Sequence, residues 1–335
     1  MIEKYYSGVI EQIYNRIGKE TRNIVMANYS NDFSIENLEV IRRYQSNEDN
    51  VFFAYSEFSY NTLVGAYEPF LDIICNMHRR FIGGSFDDFQ KECGVYYLHR
   101  QVLNSYYETG ECFREETVLL NEVAYEQRRM TMAIADMLKK LSEVKPLMIV
   151  INRFQMASKS SIETIKYLID NPCANIGIVL GVNAIVKGTD STVEVWDRIV
   201  ESLEDRSAIY YIGSAGPLKN NVKTTNDDEL YITMNFEQSI QEASNIMEFL
   251  DFEQARRGCR IIEHKLKFED AWIDEKSLRR FYMVYARTSV LLGEMSKAIE
   301  LTNEYKALIP ENDSEHYFSL YYFMKGTCYM YQGKL

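Results

Sequence analysis

The sequence predicts an α/β domain built on a parallel sheet, followed by an all-α helical repeat domain. Five short, continuously apolar runs alternate with helical stretches and no hairpin turn joins them, the pattern of strands buried on both faces. The β signal ends near residue 215, and everything beyond residue 229 reads as helix. Composition agrees, since 25 Tyr and 14 Met stand beside only 5 Pro and 16 Gly, a balance that favours long helices over turns.

In chain order, Tyr5, Val9, Ile10, Ile13, Tyr14 and Ile17 fall at helical spacings and predict an amphipathic helix over residues 4–17. Residues 23–27 (NIVMA) form the first strand, and Ser34 is placed to cap a helix running to Arg43. Residues 51–55 (VFFAY) are the second strand. Helical stretches over 63–81, 86–107 and 115–142 follow, broken at Gly83-Gly84 and at Gly110. Pro146 introduces the most apolar strand, 147–151 (LMIVI); a helix over 160–170, a strand over 176–181 (IGIVLG), a helix over 193–203 and a strand over 208–212 (AIYYI) complete the domain. The polar stretch 219–228 (KNNVKTTNDD) marks the boundary, giving domains at 1–218 and 229–335.

Charge and motif content exclude several functions. A net charge of −12 disfavours a broad nucleic-acid interface. The six cysteines (Cys75, Cys93, Cys112, Cys173, Cys259, Cys328) contain no CxxC and read as reduced thiols, and no metal site is expected. Glu3 and Glu11 interrupt what would be a signal peptide, and no run reaches the ~18 apolar residues of a membrane span, so a cytoplasmic protein is expected. No nucleophile–base pair stands in a recognisable frame, and catalytic residues are expected to be none.

The helical half repeats itself weakly. DFEQA ending at Ala255 aligns with EMSKA ending at Ala298, 43 residues on, and the turn glycines Gly293 and Gly333 lie 40 apart. Tyr322, Gly326 and Tyr329 occupy the W-x2-L-G-x2-Y positions of a helix-turn-helix repeat, and Pro310 falls where such repeats end. This half resembles tetratricopeptide repeats with lengthened helices. An array that stopped at Leu335 would leave an apolar face uncapped, so the chain is expected to be part of a longer protein.

A loop between the first strand and its helix is where a phosphate loop would lie. The frame G-x4-G-K-[ST] falls on Ala27, Asp32, Phe33 and Ser34, of which only the hydroxyl survives; a carboxylate and a ring stand where phosphates need backbone amides and an ammonium. The third strand and its sequel, residues 146–169, are similar to the Walker B segment of STAND-class signalling ATPases, an AAA-like P-loop family. In that frame the two acids are replaced by Asn152 and Arg153, while Gln155, Ala157, Ser160 and Ser161 are kept. Asn183 ends a strand similar to the family's sensor strand, and Tyr67, Pro69 and Phe70 match its aromatic-Pro-Phe element. The resemblance implies a P-loop-like, STAND-type module with degenerate Walker A and B motifs leading into tetratricopeptide-like repeats, the plan of large LuxR-type transcriptional regulators.

That resemblance implies a non-catalytic regulatory scaffold, a pseudo-ATPase module in signal transduction or transcriptional regulation, with no cofactor expected. The alternative is an ATP-binding switch that uses Ala27, Asp32, Phe33, Ser34, Asn152, Arg153 and Asn183 in a non-standard way. Protein or peptide partners are expected on the inner face of the repeats, where Arg279, Arg280 and Arg287 recur near one helical stripe with Tyr282 and Tyr322 as aromatic anchors. No direct nucleic-acid contact and no membrane contact are expected, and self-association stays open.

Overall fold

In a computed structural model of the chain, the described residues are 2–29, 38–46, 50–59, 63–114, 118, 120–183, 193–206, 208–212, 235–268, 273–310 and 314–334. They fall into two compact units, residues 1–60, 66–100 and 129–229 in the first, and 61–65, 101–128 and 230–335 in the second. The boundary read from the sequence kept 61–65 and 101–128 with the sheet; in the structure they belong with the helices.

The first unit contains strands β1 (Ile24–Tyr29), β2 (Phe52–Glu57), β3 (Leu147–Asn152), β4 (Ile176–Asn183) and β5 (Ile209–Ile212) in one sheet of order β2-β3-β4-β1-β5. Every pairing is parallel. All six residues of β3 and all eight of β4 are buried, which is why their sequences are apolar without alternation. β1 is interior, with β4 on one side of it and the edge strand β5 on the other.

One face of the sheet is covered by α1 (Ile2–Arg16) and α2 (Glu39–Ser46). Tyr6, Val9, Ile10 and Ile13 from α1 and Val40 and Ile41 from α2 meet Val25, Phe53, Val150 and Val179 there. Each such buried aliphatic side chain contributes about 1.5–3 kcal/mol. Further helices are α3 (Phe70–Met77), α4 (Phe86–Glu92), α5 (Tyr97–Thr109), α6 (Val123–Val144), α7 (Lys159–Asp170) and α8 (Val193–Glu204). The helix expected over 63–81 begins only at Phe70, after Tyr67 at φ +57 and Pro69, and ends in a π-turn over His78–Ile82. The helix expected over 86–107 is two, because Gly94 at φ +71 closes α4.

The second unit contains α9 (Phe236–Glu248), α10 (Phe252–Phe268), α11 (Glu275–Leu291), α12 (Met295–Ala307) and α13 (Ser314–Tyr331). Three turns have one geometry. Leu250, Gly293 and Gly333 are left-handed, at φ +70, +78 and +65. The next residues donate five positions back: Asp251 to Ile246 at 3.2 Å, Glu294 to Ser289 at 2.8 Å and Lys334 to Tyr329 at 2.9 Å. These are Schellman caps at the spacing the sequence repeat suggested. Ala255 and Ala298, the small residues of that repeat, are both fully buried. Arg256 with Glu294 (2.6 Å) and Lys297 with Glu263 (3.1 Å) tie α10 to the start of α12.

Candidate functional site

In a parallel α/β sheet a ligand would lie beyond the carboxyl ends of the strands. Here the ends of β1 and β3 lie close together across β4. β1 runs on to Tyr29, so Ala27, the first position of the phosphate-loop frame, is a buried strand residue opposite Gly181 rather than the start of a loop. Asp32, Phe33 and Ser34 lie outside the described residues.

Asn152, fully buried at the end of β3, accepts a hydrogen bond through Oδ1 from Tyr29 Oη at 2.8 Å. Tyr6, from α1, sets its ring edge-on to Tyr29 with centroids 6.4 Å apart. Gly181 of β4 gives these side chains their room, since a Cβ there would stand 2.7 Å from Asn152 Oδ1 and closer still to Tyr6 Oη. Arg153 follows at φ +54, a conformation that costs a residue with a Cβ about 1–2 kcal/mol. It is held there by an ion pair with Glu57 at 3.0 Å and a hydrogen bond to the Phe58 carbonyl at 3.3 Å. Glu57 also accepts from Tyr55 Oη. Asn183, at the tip of β4, donates its backbone N–H to Gln155 Oε1 at 3.3 Å, which joins two positions the sequence singled out.

Tyr67, Pro69, Ser160 and Ser161, all singled out in the sequence, meet as well. Ser158 caps α7, its hydroxyl 3.0 Å from that of Ser160 and 2.9 Å from that of Ser161. Ser160 accepts the Tyr67 N–H at 3.0 Å and Ser161 donates to the Glu68 carbonyl at 2.8 Å. Tyr67 and Pro69 are thereby fastened to the start of α7.

The donor set does not suit Mg²⁺-nucleotide. Asn152 and Arg153 at the end of β3 offer an amide and a guanidinium in place of carboxylates, and both are engaged by protein groups. Burial, reinforced by Tyr29, Tyr55 and Glu57, raises the Tyr6 hydroxyl well above the ordinary tyrosine value. Unfolded tyrosine ionises near pH 10, so the stabilisation is complete below pH 10 and is lost as pH rises past it, by about 1.4 kcal/mol per unit. Between pH 10 and 11 the wild type is expected to lose about 1 kcal/mol more than Tyr6→Phe, read from urea midpoints.

The expected arginine stripe divides. Arg279 donates to the Leu308 carbonyl at 2.9 Å and lies 5.1 Å over the Tyr317 ring. Arg280 instead donates to Gln241 on α9, and Arg287 pairs with Glu248 at 2.9 Å. Tyr282 is half-buried, and Tyr322 is 64% exposed. Arg287 and Tyr322 line one cavity of about 530 Å³ that also takes in Arg114 and Glu248, two residues the sequence did not suggest.

No family model matches the chain, and no curated protein matches its sequence. The six cysteines are unbridged, and among the described residues no helix is long and apolar enough to cross a membrane.

Proposed function

We propose that the chain is a non-catalytic regulatory module, a P-loop-like domain of STAND type whose nucleotide position is filled by its own side chains, joined to tetratricopeptide-like repeats that bind a protein or peptide partner in signal transduction or transcriptional regulation. The observation that carries this reading is the Tyr29–Asn152 hydrogen bond beneath Tyr6, together with the Arg153–Glu57 pair. The metal that accompanies a γ-phosphate needs an oxygen acceptor free to coordinate at the end of β3; here the neutral acceptor is taken by Tyr29, and the charge at the next position has the wrong sign for a metal ligand. The interior place of β1 beside β4 and the docking of Tyr67 on Ser160 support the STAND likeness. The three identical helix caps support the repeat likeness.

A thermal-shift titration with millimolar Mg-ATP tests it. A ligand at 100 times its Kd adds about 2.7 kcal/mol, so an ATP switch would melt several degrees higher. The expected results are an unchanged melting temperature and no phosphate release above buffer. Turnover abolished by Asn152→Ala would overturn the proposal.

A further inference from the structure

We infer that the helical unit binds a phosphoryl group, free or on a phosphorylated side chain, in the hollow where the first turn of α12 meets Tyr285 of α11 and Arg260 of α10. This goes beyond the partner binding proposed above and depends neither on it nor on the reading of the sheet.

The hollow measures about 470 Å³ and is lined by residues 293–297 together with Arg260 and Tyr285. α12 has 13 residues, and its first turn has no side-chain cap. Glu294, at the cap position, gives its carboxylate to Arg256 at 2.6 Å instead. Met295 N–H donates to the Gly293 carbonyl and Ala298 N–H to that of Glu294, both at 3.0 Å. The N–H groups between them, of Ser296 and Lys297, meet no backbone acceptor among the described residues. Such groups, at the positive end of the helix dipole, suit an anion.

Tyr285 adds a donor that is independent of the helix end. It is 3% exposed, yet its hydroxyl has no hydrogen-bond partner among the described residues and is not sealed off from solvent. The surface it keeps is the hollow. Burial above all, with Glu263 next, pushes the phenol up to about 12, so near neutral pH it keeps its proton to donate. Lys297 Nζ lies 5.5 Å from the ring centroid. The carboxylates around the hollow already hold cations: Glu263 takes Lys297 at 3.1 Å and Lys267 at 3.3 Å, Glu300 takes Lys297 at 2.9 Å, and Glu294 takes Arg256. Arg260 is exposed and has no such partner among the described residues, so its guanidinium is the cation left over at the hollow. A phenol, a guanidinium, the Ser296 hydroxyl and two N–H groups are more donors than the two oxygens of a carboxylate can use, and they match the three terminal oxygens of a phosphoryl group.

Calorimetric titration of the full chain at pH 7.5 and fixed ionic strength tests the site, with inorganic phosphate, acetyl-phosphoserine amide, acetyl-aspartate amide and acetyl-serine amide as probes. Both phosphorylated probes should bind, the aspartate at least tenfold more weakly, and the serine should give no heat. Phosphoserine tighter than phosphate would place the phosphoryl group on a side chain, and the reverse order would make it a free anion. Tyr285→Phe removes only a hydroxyl that has no partner, so it should weaken phosphoserine about tenfold, as loss of a hydrogen bond to a charged group does, with the melting temperature within about 1 °C of wild type. Ser296→Glu puts a carboxylate in the first turn, where it suits the helix dipole, and should abolish binding without lowering the melting temperature. No heat with either phosphorylated probe, aspartate binding as tight as phosphoserine, or phosphoserine affinity unchanged in either variant would each overturn the inference. Mg-ATP, whose outer phosphate oxygens are held by the metal, should bind here too weakly to raise the melting temperature. A Mg-ATP shift that Ser296→Glu abolishes would belong to this site and sustain it, whereas one that survives the substitution would belong to the sheet and overturn the proposed function alone.

Discussion

Glu248→Ala is expected to be the most damaging single substitution in the helical unit, lowering stability by about 3–5 kcal/mol and the melting temperature by about 10 °C or more. The reason is arithmetic at one carboxylate. Glu248 ends α9 with its side chain 8% exposed, and it faces Arg287 at 2.9 Å and Arg114 at 3.7 Å. Removing it leaves two neighbouring guanidiniums, one of them with a side chain 2% exposed, opposed only by the Glu126 carboxylate near Arg114. The quadruple variant Glu248→Ala, Arg114→Met, Arg287→Met, Glu126→Gln removes the charges together and should recover most of the loss, since apolar replacement of a buried ion cluster is often neutral or better. Melting curves on the single and quadruple variants check both halves. A single variant within 1 °C of wild type would show that the cluster is solvated. The same contact makes Arg287→Glu a folding defect rather than a clean probe of a partner surface, whereas Arg280, exposed and bonded to Gln241, remains a fair one.

The sheet was legible in the sequence because each strand is a continuous apolar run, and a doubly covered parallel sheet imposes that composition directly. All five runs are strands, and β1, β2 and β4 run about two residues further than their apolar cores, which places Tyr29 in β1 rather than in the loop after it. The arginine stripe divides for a geometric reason. At about 100° per residue, Arg280 and Arg287 fall within about 20° of one another, so they meet Gln241 and Glu248, themselves seven apart on α9. Arg279, one residue earlier, is turned about 100° away and meets Leu308 and Tyr317. Arg114 could not have been found by periodicity, since it follows α5 in a segment with no regular structure. Its only sequence signal was a charge beside the exposed aromatic Phe113.

Gly181→Ala is expected to cost about 2–4 kcal/mol, because overpacking and the loss of a buried hydrogen bond act together. The added methyl would overlap Tyr6 Oη and press on Asn152 Oδ1 at 2.7 Å, both in a fully buried layer that has no room to yield. Gly177, four residues earlier on the same strand, makes the comparison clean. Its Cβ would meet Ile17 Cδ1 at 2.8 Å and Cγ1 at 2.9 Å and buried Ile13 Cγ2 at 3.0 Å; Ile17 lies just past the end of α1, half-buried, and can move aside, which leaves one marginal contact. Gly177→Ala should therefore cost less than about 1.5 kcal/mol. Tyr6→Phe deletes the oxygen nearest the new methyl, so the double variant Gly181→Ala, Tyr6→Phe should be more stable than the sum of the two single losses predicts, with a coupling of about 0.5–3 kcal/mol. Urea midpoints at pH 7.5 read all four proteins. If Gly181→Ala is no worse than Gly177→Ala, the ends of β1, β3 and β4 are not filled by Tyr6, Tyr29 and Asn152 as described, and the physical reason for expecting no nucleotide there is lost.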